Sequence, residues 1–268
     1  MDSPSSGGYN ILSIRTITII GIFILSPILL LGCAGSSVTT TDAKSNARAL
    51  EDMGISLVRQ GNLRGGLEQL LKAVKLDPKN PDLNHELAIV YRDLKEYDLS
   101  LSYFKRTLSL RPKLSEAQNN LGTLYLLMKQ WDLAIKSFQA AINNILYQTP
   151  EIAYNNMGLA YYNKGLYEKA IQSYQKALDA SPDYSACHVN LGLVYEMLNR
   201  PEDAIDAYNK AIKYGAQNPS PYLRLGRLYY RLGKMSDAST MLKKFLSIAE
   251  EGSDKEEAQK LLETIESR

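Results

Sequence analysis

Small side chains recur at fixed positions in six consecutive blocks, each about 34 residues long, between Ala47 and Gly252. The blocks begin at Ala47, Pro81, Ser115, Glu151, Ser185 and Pro219. The eighth position of the blocks holds Gly54, Ala88, Gly122, Gly158, Gly192 and Gly226, and the twentieth holds Gly66, Ser100, Ala134, Ala170, Ala204 and Ala238. A period of this length indicates a repeated supersecondary unit.

Larger side chains mark two further positions of each block. The eleventh holds Leu57, Tyr91, Tyr125, Tyr161, Tyr195 and Tyr229, and the twenty-fourth holds Leu70, Phe104, Phe138, Tyr174, Tyr208 and Leu242. We interpret each block as two amphipathic helices, A and B, which approach closely at the small residues, with the large side chains beside that contact. Because neither helix can bury its apolar face alone, stacked blocks form one continuous core.

This register resembles that of the tetratricopeptide repeat. The resemblance implies an all-α fold, a right-handed superhelical solenoid of six helix-turn-helix repeats at residues 47–80, 81–114, 115–150, 151–184, 185–218 and 219–252. The charged segment 253–268 carries Ala258, Leu261, Leu262 and Ile265 on one side. Since a stack of repeats needs a terminal cap with a polar outer face, we expect a capping helix there.

An apolar run at residues 16–32 follows Arg15, contains Pro27 and ends directly before Cys33. As a membrane span it is short and interrupted by proline. As a secretory signal it has a basic start, an apolar middle and a small residue at the cleavage point. We expect residues 1–32 to be a signal peptide, and an uncleaved anchor is the alternative.

The cysteine directly after Gly32 resembles the bacterial lipobox. The resemblance implies transfer of diacylglyceryl to the thiol of Cys33, cleavage before it, and acylation of the new amine with a fatty acid such as palmitate. Several acyl chains hold a protein stably on a bilayer. In lipoprotein sorting, Ala34 after the cysteine favours the outer membrane, and the small polar residues of 33–46 indicate a flexible tether to a periplasmic solenoid.

Composition and isolated motifs argue against nucleic-acid binding, metal binding and catalysis. The formal net charge of +2 gives no electrostatic footprint for nucleic acid. His85 begins like a zinc-protease motif, but Ile89 stands where the second histidine is needed. With Cys33 acylated, Cys187 is the remaining thiol and is interpreted as a helix-packing residue. We expect no enzyme activity, no metal, no cofactor and no small-molecule substrate.

A protein partner fits the pattern better. In this architecture helix A lines the concave wall, and its positions 2, 5, 6, 9, 12 and 13 face the groove. In repeats three to five these positions include Asn119, Asn120, Leu126, Asn155, Asn156, Leu159, Tyr162, Asn190, Leu193 and Met197. Asn120, Asn156 and Asn190 all stand at position 6, and amides that donate and accept can hold the backbone of an extended or helical peptide. Alternatively, these asparagines are merely tolerated on a solvated wall.

The same wall carries a cationic group in repeat six, formed by Arg224, Arg227 and Arg231. Arginine pairs well with carboxylates, so this group could take an acidic segment or a C-terminal carboxylate. A solvated charged face is the alternative.

An insertion distinguishes repeat three, which is two residues longer than its neighbours and ends in Tyr147-Gln148-Thr149-Pro150. With six repeats and a lipobox, this Tyr-x-x-Pro segment resembles the type IV pilus biogenesis lipoproteins, the pilotins of the PilF, PilW and Tgl type. The resemblance implies a protein that binds the pilus secretin and promotes its multimerisation at the outer membrane. The alternative is a periplasmic adaptor lipoprotein that docks peptidoglycan hydrolases or other envelope enzymes.

Overall fold

The structure is a computed structural model that describes residues 40–267. The predicted signal peptide, Cys33 and the first part of the predicted tether lie outside the described residues. The helices described belong to one unit, Thr39–Arg268. The all-α prediction is confirmed, since thirteen helices and no strand occur between residues 40 and 267.

Odd-numbered helices are the A helices of successive repeats, and even-numbered helices are the B helices. The A helices are α1 (Thr40–Arg59), α3 (Pro81–Asp93), α5 (Ser115–Leu127), α7 (Pro150–Asn163), α9 (Ser185–Met197) and α11 (Ser220–Arg231). The B helices are α2 (Leu63–Leu76), α4 (Tyr97–Leu110), α6 (Trp131–Ile142), α8 (Tyr167–Ala180), α10 (Pro201–Tyr214) and α12 (Met235–Ile248), and α13 (Ser253–Glu266) follows them.

The flexible tether predicted for residues 33–46 is wrong for its last seven residues, because α1 begins at Thr40. Asp42 lies in the first turn, where a carboxylate stabilises the helix N-terminus. Ala47 is buried, which ties this end of the helix to the core. Packing of an apolar face therefore extends the helix into a segment whose composition is typical of a linker.

The small residue at position 8 admits the large side chain at position 24 of the same repeat. A Cβ atom at Gly158 would lie 2.5 Å from the ring of Tyr174, and one at Gly192 would lie 2.4 Å from the ring of Tyr208. Both tyrosines are almost fully buried. The residue at position 20 meets the backbone of position 8, as Ser100 shows by donating from Oγ to the Ala88 carbonyl at 2.7 Å.

The turn from helix A to helix B has a left-handed residue at the same position of every repeat. This residue is glycine in repeats one, four and six, and it is Lys95, Lys129 and Asn199 in the others. Glycine adopts this conformation without steric cost, and asparagine tolerates it better than lysine does. The repeated turn keeps the two helices of each repeat antiparallel.

Successive A helices approach one another more closely than successive B helices do. The stack therefore curves toward the A helices, and these form its inner wall. At the far end, α13 packs Ala258, Leu261 and Leu262 against a cluster that includes Leu242 and Phe245. This helix stands where a seventh A helix would be, and it covers the apolar end of the stack.

Candidate functional site

The candidate site is the inner wall formed by α5, α7 and α9, which carry the amide and apolar residues predicted from the sequence. Asn120, Asn156, Leu159, Asn190 and Leu193 are half-buried there. Asn119 and Asn155 are only 8% and 6% exposed. The expectation that these two position-5 asparagines offer their side chains to the groove is therefore wrong.

The asparagines form a regular set of hydrogen bonds between neighbouring A helices, which we name the amide ladder. Position 5 of one repeat bonds to position 6 of the next: Asn156 Nδ2 donates to Asn119 Oδ1 at 3.5 Å, and Asn190 Nδ2 donates to Asn155 Oδ1 at 2.9 Å. Asn155 Nδ2 also donates to Asn156 Oδ1 at 3.4 Å. A buried amide needs hydrogen-bond partners, and this pairing supplies them to Asn119 and Asn155.

His85 forms the first rung of the amide ladder, a role that was not predicted from the sequence. It stands at position 5 of repeat two, and its Nε2 lies 3.0 Å from Nδ2 of Asn120. An amide N–H that donates to Nε2 requires a neutral ring, and burial lowers the pKa of His85, which favours that form. The common register of His85, Asn119 and Asn155 was the signal available in the sequence.

The ladder leaves polar atoms for a partner. A primary amide has two N–H donors and an oxygen with two lone pairs, and each rung uses only part of this capacity. Asn120, Asn156 and Asn190 lie one repeat apart along the wall and are half-exposed. They are therefore arranged to bond at regular intervals to an extended or helical backbone.

Apolar side chains border the ladder on the same helices. Met197 is 54% exposed and Leu127 is 49% exposed, although both are large apolar residues. Leu126 and Tyr162 instead turn partly into the core, where they pack against the clusters around Phe138 and Tyr174. The wall of repeats three to five thus combines amides with accessible apolar surface, which is the chemistry of peptide-binding grooves.

The three arginines predicted for repeat six do lie together, around a cavity of about 360 Å³ that Glu196, Tyr230, Glu257 and Leu261 also line. Carboxylates of the protein already hold two of them. Arg227 pairs with Glu257 at 2.7 Å and with Asp254 at 3.2 Å, and Arg231 pairs with Glu196. An acidic ligand would have to compete with these carboxylates, so this end of the wall is a weaker candidate than the sequence indicated.

The opposite end of the wall gathers carboxylates. Burial raises the pKa of Glu51, and the charges of Asp82, Glu86 and Asp52 raise it further. Burial likewise raises the pKa of Glu86. Glu51 stands at position 5 of repeat one, and Glu86 stands at position 6 of repeat two. In the following repeats, residues at these two positions form the rungs of the amide ladder. Two carboxylates repel each other in that register, so the ladder begins only at His85.

Three further features concern the thiol of Cys187, metal binding and membrane-spanning helices. Cys187 is buried, its Sγ lies 3.4 Å from the Tyr174 carbonyl, and burial raises its thiol pKa to about 12. No group of three His, Cys, Asp or Glu side chains within residues 40–267 is placed to hold a metal ion. None of the helices in that range is long and apolar enough to cross a membrane.

Family models described as tetratricopeptide repeat match residues 81–145, 150–215 and 219–251, and one described as TPR repeat matches residues 198–233. Together these matches cover five of the six repeats and more than half of the chain. No curated protein matches the sequence by direct comparison.

Solved structures share the fold. PilW, a widely conserved type IV pilus biogenesis factor, is similar at a TM-score of 0.72 and 21% identity, and the match covers 82% of this chain and 97% of that chain. PilF of Pseudomonas aeruginosa is similar at 0.69 and 19% identity, covering 81% and 98%. MamA of Desulfovibrio magneticus RS-1 is similar at 0.57 and 24% identity, covering 63% and 94%.

Proposed function

Because the chain belongs to the tetratricopeptide-repeat family, we propose that it is a pilotin, a lipid-anchored scaffold that binds the type IV pilus secretin through its inner wall. Tetratricopeptide-repeat proteins are generally non-catalytic scaffolds that mediate protein–protein interaction. The observation that carries the proposal is the likeness in fold to PilW and PilF, which extends over nearly the whole length of those chains. The lipobox-like Cys33 and the insertion in repeat three support it.

The wall of repeats three to five is the proposed binding surface. Asn120, Asn156 and Asn190 bond to the backbone of a secretin segment, and Leu159, Leu193 and Met197 contact its apolar side chains. A segment that lies along the wall buries apolar area that is now exposed, such as Met197. When such scaffolds hold several secretin subunits near one another, they raise the local concentration of secretin and promote its multimerisation.

Acylation of Cys33 places this surface at the periplasmic face of the outer membrane. Two or more acyl chains make the attachment stable, whereas one chain would be reversible. The uncharged Ala34 supports sorting to the outer membrane. Metabolic labelling with a palmitate analogue is expected to mark the native chain and to leave a Cys33→Ser variant unlabelled.

A second candidate function is an adaptor that docks peptidoglycan hydrolases or other envelope enzymes. The fold is shared with MamA as well as with PilW and PilF, and one solenoid fold can serve several systems, so the fold alone does not separate an adaptor from a pilotin. A deletion strain with normal secretin multimers and altered cell-wall hydrolysis would favour the adaptor.

Changing Asn120, Asn156 and Leu159 together to alanine tests the binding surface. We expect fewer secretin multimers and a Kd for secretin raised by roughly tenfold or more, since each lost contact costs about 0.5–1.5 kcal/mol. Multimers are measured on gels of unheated envelopes, and helicity by circular dichroism.

A matched control changes two amides and one leucine on the B helices, Gln175, Asn209 and Leu99, all of which are exposed. This variant is expected to keep both binding and multimers. Equal multimer levels in the two variants would refute the assignment of the inner wall.

A further inference from the structure

The loop inserted between α6 and α7 displays two neighbouring apolar side chains to solvent. Ile145 is 95% exposed and Leu146 is 74% exposed. Other large apolar residues of the described chain that reach solvent are far less exposed, such as Met197 at 54%. Such a pair needs an explanation, because exposed apolar side chains that adjoin one another mark interaction sites.

Hydrogen bonds and a buried tyrosine fix the conformation of this loop, and that conformation exposes Ile145 and Leu146. Asn144 donates from Nδ2 to Ser115 Oγ at 2.9 Å, and its Oδ1 accepts the backbone N–H of Leu146 at 3.1 Å. Tyr147 is buried beneath the loop against Ala141 and Ala153. The buried tyrosine and the bonded asparagine flank Ile145 and Leu146 and keep them pointing outward.

Neighbouring B-to-A loops are tied together along one edge of the stack, which we name the loop edge. Arg106 of α4 donates to the Pro78 carbonyl of the first loop at 2.9 Å. Arg111 forms a bidentate pair with Asp82, at 2.7 and 2.9 Å. Asn144 makes the corresponding bond to Ser115 from the third loop. The first three loops therefore form one continuous surface with Ile145 and Leu146 at its end.

This first half of the loop edge is both apolar and cationic. Leu76 and Leu110 end their B helices 42% and 38% exposed. From the last two residues of each B helix to the first two of the next A helix, the exposed cations are Lys75, Lys79, Arg111 and Lys113. The exposed acids are Asp82, paired with Arg111, and Glu116, while Asp77 and Glu151 are half-buried.

The second half of the loop edge has the opposite charge. Its exposed acids are Asp179, Asp183, Glu250, Glu251 and Asp254, and its exposed cation is Lys213. The two halves share the same repeat architecture, so the repeat itself does not impose the cations. An anionic surface would attract the first half of the edge and repel the second.

We propose that the loop edge of repeats one to three docks on an anionic phospholipid surface, with Ile145 and Leu146 inserted among the lipids. Binding at a membrane surface combines buried apolar area with attraction between basic side chains and anionic headgroups, and this edge offers both. Insertion without a helix requires side chains that project beyond the backbone, as these two do.

The attachment point of the preceding chain favours a bilayer over a protein partner. Lys44 and Arg48 of α1 line a cavity with Asn80 and Asp82, so the first turns of α1 lie beside the first loop. The residues before Thr40, which carry the apolar run and Cys33, therefore join the solenoid at this edge. This step rests on the proposed anchoring, and it makes the edge and the anchor two contacts with one membrane.

An environment-sensitive fluorophore on the full chain tests the proposal. In a Cys33→Ser background, whose remaining cysteine Cys187 is buried, a Leu146→Cys variant is labelled with a nitrobenzoxadiazole reagent, and the background chain serves as the blank. The control is Leu133→Cys in the same repeat, 44% exposed at the start of α6. Asp132 beside it pairs with Lys164 of the next A-to-B turn, which places this control on the opposite edge.

On vesicles of equal parts phosphatidylcholine and phosphatidylglycerol, we expect the label at residue 146 to shift to the blue and to be quenched by brominated lipid. The emission of the label at residue 133 should remain that of the label in water. Vesicles of phosphatidylcholine alone should give a smaller blue shift at residue 146. Changing Lys75, Lys79 and Lys113 to glutamate should reduce the response several-fold. The same change at Lys176, Lys210 and Lys244 on the B helices should not.

A label at residue 146 that stays in water on both kinds of vesicle would overturn the proposal, as would equal responses at residues 133 and 146. Protection of residue 146 by added secretin alone would assign the edge to a protein. The outcome is independent of the groove, because the alanine variant at Asn120, Asn156 and Leu159 should keep the response. It is also independent of acylation, because the labelled chains carry Cys33→Ser.

Discussion

The glycine at position 8 sets how closely helices A and B pack in five repeats, where the partner side chain is an aromatic ring or leucine. In repeats three, four and five the space that a Cβ atom would fill is taken by Phe138, Tyr174 and Tyr208. Repeat two has Ala88 at this position and still buries Phe104 completely. A methyl group at position 8 is therefore compatible with a buried ring in repeat two.

Gly192→Ala tests this packing. Alanine favours a helix over glycine by about 1 kcal/mol, but overpacking a tight core costs about 1–3 kcal/mol. Because the added Cβ would lie 2.4 Å from the Tyr208 ring, we expect overpacking to prevail and the midpoint of urea unfolding to fall.

The control is Gly252→Ala, where no heavy atom lies within 4 Å of the added Cβ. That variant should unfold near the parent midpoint. A stabilised Gly192→Ala protein would show that the ring moves aside at little cost.

At the scale of helices, the amide ladder joins α3 to α5, α5 to α7 and α7 to α9. Its rungs repeat because positions 5 and 6 of neighbouring A helices face each other once the stack has formed. Position 5 becomes Val189 in repeat five, so the ladder stops after Asn190. The arginines of repeat six continue the wall with ion pairs to Glu196 and to α13.

A double-mutant cycle on Asn155 and Asn190 measures one rung. We expect a coupling free energy of about 0.5–1.5 kcal/mol between the two alanine substitutions, as for a typical hydrogen bond in a protein. The measurement is the free energy of urea unfolding of the parent, both single variants and the double variant.

Asn163 provides the matched control for the cycle, since it lies on α7 with Asn155 but bonds to the Leu159 carbonyl of its own helix. Alanine substitutions at Asn163 and Asn190 should be additive. Additivity at Asn155 and Asn190 as well would mean that the rung contributes nothing to joining the helices.

At the scale of the whole stack, each repeat contacts its neighbours, so an end without a neighbour must be covered. Helix α13 provides this cover through Ala258, which is fully buried, and through half-buried Leu261, Leu262 and Ile265. Its exposed residues include acids, and one of them, Glu257, pairs with Arg227 of α11. Repeat six therefore depends on α13 for part of its apolar burial.

Ala258→Asp places a carboxylate in this buried junction. Burying an unpaired charge is costly, so we expect α13 to detach and repeat six to unfold at a lower urea concentration than the rest. Hydrogen exchange, followed peptide by peptide, should show faster exchange in α12 and α13.

Gln259→Asp introduces the same charge at the neighbouring exposed position and is the control. It should leave exchange unchanged. Equal exchange in both variants would show that α13 is not needed to cover the stack.

Much of the fold was predictable from the sequence, because its determinants are local and repeated six times. Small residues at positions 8 and 20 and large residues at position 24 act within one repeat. The start of α1 was not predictable in this way, because residues 40–46 have a linker-like composition and are helical in the folded chain.

The candidate site was predicted less completely. The sequence indicated a polar and apolar inner wall, and the structure places Asn120, Asn156, Leu159 and Leu193 there. The sequence did not indicate that Asn119 and Asn155 are buried or that His85 pairs with Asn120. Nor did it indicate that carboxylates of the protein pair with Arg227 and Arg231. These pairs join residues at least 27 positions apart, and their partners depend on how one repeat sits on the next.

The sequence by itself determined the helical repeat and its number, since the period of small and large residues specifies pairs of helices that must stack to bury their apolar faces. Only the tertiary structure decided which polar groups of the wall are already paired and which apolar side chains, such as Ile145 and Leu146, are left in water. The physical reason is that hydrogen-bond partners and exposure are properties of the space between repeats, which a pattern within one repeat does not specify.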